Sequence, residues 1–249
     1  GRITFSVDDA TIATIDEDGM VLGVKAGTCT VTVTAEETTN YKSATKTCSV
    51  TVTDPSSTMT IAQVLALAEG KLDNAVGNGD IQSGITLAPV TVAAIFGSSI
   101  ILKDDTGVML AYKNNNGLAV GKEVEMTGKL QNYYGVAEFV PDSITETGKT
   151  NEVTHGTPAV FDEAAISAYQ NGVRSVKFVK FSGSLPTSKS SAYVNVGTQK
   201  VRIYNTDAIA DADLGKQADV LAYAYGYHSG GYLQVIVTSY EANASAPFL

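Results

Sequence analysis

"DVLAYAYGYHSGGYLQVIV", residues 219–237, is the stretch on which the fold turns. Tyr223, Tyr225 and Tyr227 interleave with Ala222, Ala224 and Gly226. A β-strand sends successive side chains to opposite faces. One face of this strand therefore carries three phenol rings and the other almost nothing. Rings that face a core are packing. Rings that face out form an aromatic strip that needs a partner.

The stretch belongs to an internal repeat. "VTVAAIFG…SIILKDDTGVMLAYKN…LAVGKEVEMTGKLQNYYGVAEFVPDSITE" has a counterpart in "VKFSGSLP…SAYVNVGTQKVRIYN…ADLGKQADVLAYAYGYHSGGYLQVIVTSYE". Tyr112 falls on Tyr204, Gly121-Lys122 on Gly215-Lys216, Tyr133 on Tyr227 and Ser143 on Ser239. Each copy reads as a long strand, a hairpin, a connection containing Gly-Lys, and a second hairpin. Each is preceded by a helical stretch, 59–70 in the first and 161–172 in the second. In the first of these, Thr60 and Gln63 form a capping box ahead of the apolar stripe Ile61, Val64, Leu65 and Leu67, which Gly70 ends. Five strands with a connection between the third and fourth is the layout of the OB fold, a small Greek-key barrel.

The repeat also orients the strip. Met126, Gly128 and Leu130 align with Val220, Ala222 and Ala224, while Lys129, Gln131 and Tyr133 align with Tyr223, Tyr225 and Tyr227. A small barrel cannot hold Lys129 and Gln131 without a large desolvation cost. The Met126 face is therefore inward, and the three tyrosines are expected outside. Tyr232, Gln234 and Ile236 continue the outward phase across the hairpin. Three readings of the strip stand open: packing between the barrels or against 161–172, a ligand platform, or a partner-protein contact. As a platform it comprises Tyr223, Tyr225, Tyr227, Tyr232, Tyr133 and Lys129, with Lys200 and Arg202 able to add hydrogen bonds.

Residues 1–54 read as short strands and tight turns. Asp18-Gly19 joins two β runs as a hairpin, and the acidic turn Asp16–Asp18 lacks the ligand spacing of a calcium loop. Cys29 and Cys48 lie in phase with Val31, Val33, Val50 and Val52 and share their face. If Cys29 sits opposite Cys48, a cross-strand disulfide can form; the alternative is two buried free thiols. "TDPSST" is a linker by composition. The expected organisation is a first domain at 1–54, a linker at 55–58, and barrels at 59–155 and 156–249.

The 249 residues are 44% hydrophobic and 17% charged, with net charge −9. That surface repels phosphate backbones and disfavours nucleic acid as a partner. No apolar run approaches the roughly 20 residues of a membrane span. The opening "GRITFSV" starts inside a strand pattern, as expected of a processed or trimmed chain.

No catalytic, cofactor or metal site is read from the sequence. His155 and His228 fall in separate loops, and Ser229 beside His228 sits at a hairpin tip, a poor place to hold a triad. "GNGDIQSG" (77–84) lacks the lysine of a phosphate loop, and Asp104-Asp105 reads as a turn.

"VDDATIATIDEDGMVLGVKAGTCTVTVTA" resembles the bacterial immunoglobulin-like domains of group 2. The resemblance implies a partial sandwich that serves as a spacer or adhesion module of secreted and surface proteins. The first repeat copy, through "LKDDTGVMLAY" and "GKEVEMTGKL", resembles the OB-like domains of secreted Bacteroidetes proteins. Copy two departs at "DDTG", where it has Gly197-Thr198-Gln199. The expected fold is mainly β: a partial immunoglobulin-like β-sandwich plus two five-stranded OB-like Greek-key barrels, each led by a short helix. The expected function is a non-catalytic, exported bacterial binding or adhesion protein, extracellular or at the cell surface. Its sheet face would meet a glycan or a surface protein. The alternatives are an oligonucleotide-binding OB protein and a non-catalytic fragment of a larger secreted enzyme.

Overall fold

Thr and Val alternate through 27–35 and 44–52, and both runs are strands in the computed structural model. The structure describes residues 1–52, 58–114, 116–172 and 174–243. The chain divides into two units, Gly1–Ser57 and Thr58–Leu249. The expected linker falls, apart from Thr58, outside the described residues.

In the first unit, β1 (Ile3–Val7), β4 (Gly27–Ala35) and β5 (Ala44–Val52) form an antiparallel sheet in the order β1-β4-β5. A hairpin pairs β2 (Ala13–Ile15) with β3 (Val21–Gly23). Its turn is the expected one at Asp18-Gly19. Asp16 Oδ1 accepts from the backbone N–H of Asp18 at 3.0 Å and of Met20 at 2.8 Å. The acidic turn thus spends a carboxylate on its own backbone. Ala13, Cys29 and Val31 are the apolar residues this unit buries among those described, and most of β5 is exposed.

The register corrects the disulfide expectation. Cys29 pairs with Val50 and Val31 pairs with Cys48, so the two cysteines are diagonal neighbours rather than opposite ones. Diagonal positions stand roughly 7–8 Å apart, beyond what a disulfide spans. Both thiols are free, Cys29 buried and Cys48 exposed, so the expectation of two buried thiols holds for Cys29 alone.

The second unit contains both repeat copies. In the first, β6 (Asn78–Phe96), β7 (Ser99–Lys103), β8 (Val108–Tyr112), β9 (Lys122–Tyr133) and β10 (Val136–Thr150) close into a barrel in the order β10-β8-β7-β6-β9. Helix α1 (Ile61–Ala66) precedes it and carries the expected capping box from Thr60 and Gln63. The "DDTG" turn also caps this helix: Asp104 Oδ2 accepts from Ile61 N–H at 2.8 Å, and Thr106 Oγ1 from Ala62 N–H at 3.0 Å. Those are donors that a helix start leaves without intrahelical partners.

The second copy has β11 (Ala159–Val160), α2 (Glu163–Asn171), β12 (Lys177–Ser184), β13 (Tyr193–Val196), β14 (Gln199–Ile203), β15 (Gln217–His228) and β16 (Tyr232–Ala242). Its sheet runs β11-β12-β15-β16-β14-β13. Apart from the short β11, every pairing has a counterpart in the first barrel, including the parallel contact of β14 with β16 that matches β8 with β10. One ladder is missing: β12 and β13 are not hydrogen-bonded to each other, so the second copy is an open barrel, a six-stranded sheet where a closed five-stranded one was expected. They still approach closely at Gly183. A Cβ there would come within 2.5 Å of Val194 Cγ1 and 2.7 Å of the Asn195 carbonyl oxygen. The glycine permits contact across the open seam. The departure from "DDTG" is compensated too, because Thr198 Oγ1 donates to Glu163 in the first turn of α2.

Met126 and Leu130 fill the first barrel with Leu87 and Phe139; Val220, Ala222 and Ala224 fill the second with Leu233 and Val235. The inward face is the expected one up to Ala224. Beyond it the ladder pairs Ala224 with Val235 and Gly226 with Gln234, leaving Tyr225 as an extra residue. A bulge of this kind shifts side-chain phase by one residue. Tyr227 is consequently turned inward, packed in the second barrel's core, and the expectation of three outward rings fails at this ring. The hairpin ends correspond as Tyr133 to His228, since Tyr133 pairs with Val136 and His228 with Tyr232.

We expect native-state alkylation without reductant to label Cys48 fast and Cys29 only on opening, because burial also pushes the Cys29 thiol pKa up. Intact mass should show two labels after unfolding. A chain two hydrogens lighter that takes no label would overturn the register.

Candidate functional site

Tyr223 and Tyr225 leave the second barrel as outward side chains, yet they are 0% and 6% exposed. The first barrel covers them. They share a buried cluster with Ile236 and Val176 on one side and Ala93, Ala94, Ile101, Leu110 and Val136 on the other. His155 Nδ1 lies 3.0 Å from the Tyr223 hydroxyl, and its ring stacks on Phe178 at 4.8 Å. Burial lowers the His155 pKa, with Lys103 adding to the effect. The expected strip is therefore interdomain packing at its centre. These two rings are closed to any ligand in solution.

The aromatic surface appears at the edges of that interface. Phe96, Tyr112, Tyr133, Tyr134 and Tyr193 are each 37–45% exposed, and they are the exposed aromatics among the described residues of the second unit. Buried and half-buried rings link them. Tyr225 contacts Tyr204 at 5.9 Å, Tyr204 contacts Phe96 at 5.9 Å, and Tyr133 meets Tyr134 edge-on at 5.1 Å.

Arg202 organises one side of this seam. Its guanidinium lies 4.7 Å from the ring centroid of Tyr204, 5.6 Å from Tyr232 and 5.9 Å from Tyr193. Nη1 donates to the Tyr232 hydroxyl at 3.2 Å, a contact that raises the guanidinium pKa further. This cage arises because β13, β14 and β16 lie side by side: Tyr193 pairs with Arg202, and Arg202 with Gln234. A cation over several phenol faces is held by the ring quadrupoles. Gln234 Nε2 donates to the Tyr204 hydroxyl at 2.9 Å, and His228 stacks on Tyr232 at 4.6 Å with a 6° interplanar angle.

Between the two hairpin tips runs a cleft of about 140 Å³ lined by Tyr133, Tyr134, Gly226, Tyr227, His228 and Gln234. The structure thus brings Tyr133, Tyr227 and Tyr232 to one region. It places Lys129 elsewhere in bonding terms, since its ammonium pairs with Asp80 at 2.6 Å. Gln131 faces outward as expected but is buried, donating from Nε2 to Glu138 Oε1 at 2.6 Å. Burial raises the Glu138 pKa from 4.5 to about 7. Glu138, Tyr134, Tyr193 and Phe96 did not enter the sequence reading, and Tyr204 entered it only as the counterpart of Tyr112. The cue was parallel strand adjacency, which no local alternation reveals.

Two outcomes follow for stability. Tyr225→Ala should cost about 3–5 kcal/mol, as truncating a buried aromatic does, whereas Tyr193→Ala should stay within about 0.5 kcal/mol. Chemical denaturation checks both. For Glu138, the folded state retains a proton that the unfolded state releases from pH 4.5 upward. The associated stability is complete below 4.5 and is lost as pH rises through about 7. Glu138→Gln should therefore gain on the wild type by roughly 2–3 kcal/mol between pH 4.5 and 8. A gap that is the same at both pH values would contradict the burial argument.

Residues 1–47 match the family model of the bacterial Ig-like domain (group 2). No curated protein matches the chain significantly. Among solved structures, the hypothetical protein ygiW from E. coli is similar at 17% identity, covering 38% of this chain and 94% of that one, with a TM-score of 0.28. A replication protein A heterotrimer bound to ssDNA is similar at 14% identity, covering 72% of this chain and 52% of that one, with a TM-score of 0.29.

Proposed function

We propose that the chain is a non-catalytic binding protein, exported by a bacterium to its surface or beyond, whose second unit presents the aromatic seam to a glycan. The observation that carries the reading is the placement of exposed Tyr193 against Arg202 and of exposed Tyr133 and Tyr134 in the cleft at the hairpin tips. Phenol faces stack on apolar sugar faces, and the flanking Gln234, His228 and Arg202 can read hydroxyl groups. The match of residues 1–47 to a bacterial Ig-like domain supports the export reading and the role of that unit as a spacer. Neither histidine is poised as a base: His155 is engaged with Tyr223 and Phe178, and His228 Nδ1 accepts from Gly230 N–H at 2.9 Å. The net charge of −9 weighs against an oligonucleotide on the same rings.

The test is a glycan array on the full chain, run beside a single-stranded DNA titration in rising salt and a pull-down against surface protein. A glycan hit should hold from 50 to 200 mM salt, and Tyr193→Ala or Tyr133→Ala should weaken it by roughly 1–3 kcal/mol, the value of one stacked ring. DNA binding that falls steeply with salt, or a protein partner without any glycan hit, would replace this reading.

A further inference from the structure

A second cavity lies on the far side of Val136. It measures about 380 Å³ and is lined by Leu65 and Leu72 from α1 and the turns after it, Met109 from β8, Val136 from β10, and Arg174 and Val176 leading into β12. That size is within the range of small-molecule sites, and so is a mainly apolar wall with few polar groups. Both repeat copies contribute to it.

Arg174 is the unusual member. It is 8% exposed, and each of its hydrogen bonds goes to a backbone carbonyl: Nη1 to Tyr134 at 2.8 Å and to Tyr227 at 3.2 Å, and Nη2 to Gln170 at 2.9 Å. A guanidinium has five N–H donors, so three are used. Nε has no partner. Carbonyls satisfy donors but carry no counter-charge. Among the described residues no carboxylate reaches ion-pair distance of Arg174; even Glu69, which also lines the cavity, does not. A buried charge without a counter-charge is costly; the Tyr227 ring, 5.6 Å from the guanidinium, offsets part of that cost but does not neutralise the charge. The three carbonyls fix the guanidinium in place beside an apolar chamber.

We propose that this cavity is a binding site for an amphipathic monoanion, an alkyl carboxylate whose chain fills the apolar chamber and whose head is neutralised by Arg174. Charge complementarity selects the head and the lining selects the tail. The chamber shares Val136 with the hairpin-tip cleft, but none of the exposed aromatics line it, and its ligand is distinct from the glycan.

Isothermal titration of the full chain with decanoate, decanol and decyltrimethylammonium, all below their micelle concentrations, tests the assignment. Decanoate should bind saturably at one site. Decanol should bind about tenfold or more weakly, the value of one charge-assisted hydrogen bond, and the ammonium compound should not bind. Leu72→Trp fills the chamber and leaves Arg174 itself unchanged, and should abolish decanoate binding while leaving the folded circular dichroism spectrum unchanged. Tyr193→Ala should leave decanoate binding intact. Equal affinity for decanoate and decanol would remove Arg174 from the site. Absence of saturable decanoate binding, or unchanged binding by folded Leu72→Trp, would overturn the proposal.

Discussion

The second unit depends on one burial event. Tyr223 and Tyr225 are outward residues of one barrel that become core residues of the pair, sealed against Ala93, Ala94, Ile101 and Leu110 of the other. Small alanines on the first barrel make room for large rings from the second. Two buried phenols bring large apolar surfaces out of water, enough to hold the barrels as one body rather than as beads on a string. The seam exists because this contact fixes the two hairpin tips beside each other, and the cavity exists because the same contact places Arg174 against α1.

The repeat was legible because both copies keep the same strand order and the same Gly-Lys connection. Inside and outside were legible through Lys129 and Gln131, whose polarity excludes them from a barrel interior. The reading lost its footing at Tyr225. A bulge adds one residue to one strand, and nothing in "AYAYGYH" distinguishes an inserted tyrosine from an alternating one. Gly226 is the only local hint, since glycine in a strand often marks a bulge. From that point Tyr227 changes face and Tyr133 corresponds to His228.

The site was legible in composition but not in membership. Tyrosines were expected on the surface of the second unit, and tyrosines are exposed there, but those most visible in the sequence are the ones the fold buries. The exposed rings come from β8, the end of β9 and the turn after it, β13 and the end of β6, positions related only by pairing between strands distant in sequence. Arg202 illustrates the limit. In "QKVRIYN" it reads as an ordinary solvated cation. Only the parallel neighbour β16 brings Tyr232 to it, and only the antiparallel β13 brings Tyr193. The cysteines make the same point on a smaller scale: shared phase was readable, but a two-residue offset in register was not.

The missing ladder between β12 and β13 gives the second barrel an uneven resistance to local opening. A strand hydrogen-bonded on both sides must break two ladders to move; β13 must break one, that with β14, and slide past Gly183. Segments of this kind open at a lower free energy than the core around them. Tyr193 is carried by this strand and is the exposed wall of the Arg202 cage. Tyr193 is thus mounted on an edge strand of the sheet. In the proposed reading, that strand lets the ring adjust its tilt to a ligand, at the entropic cost of stilling the strand.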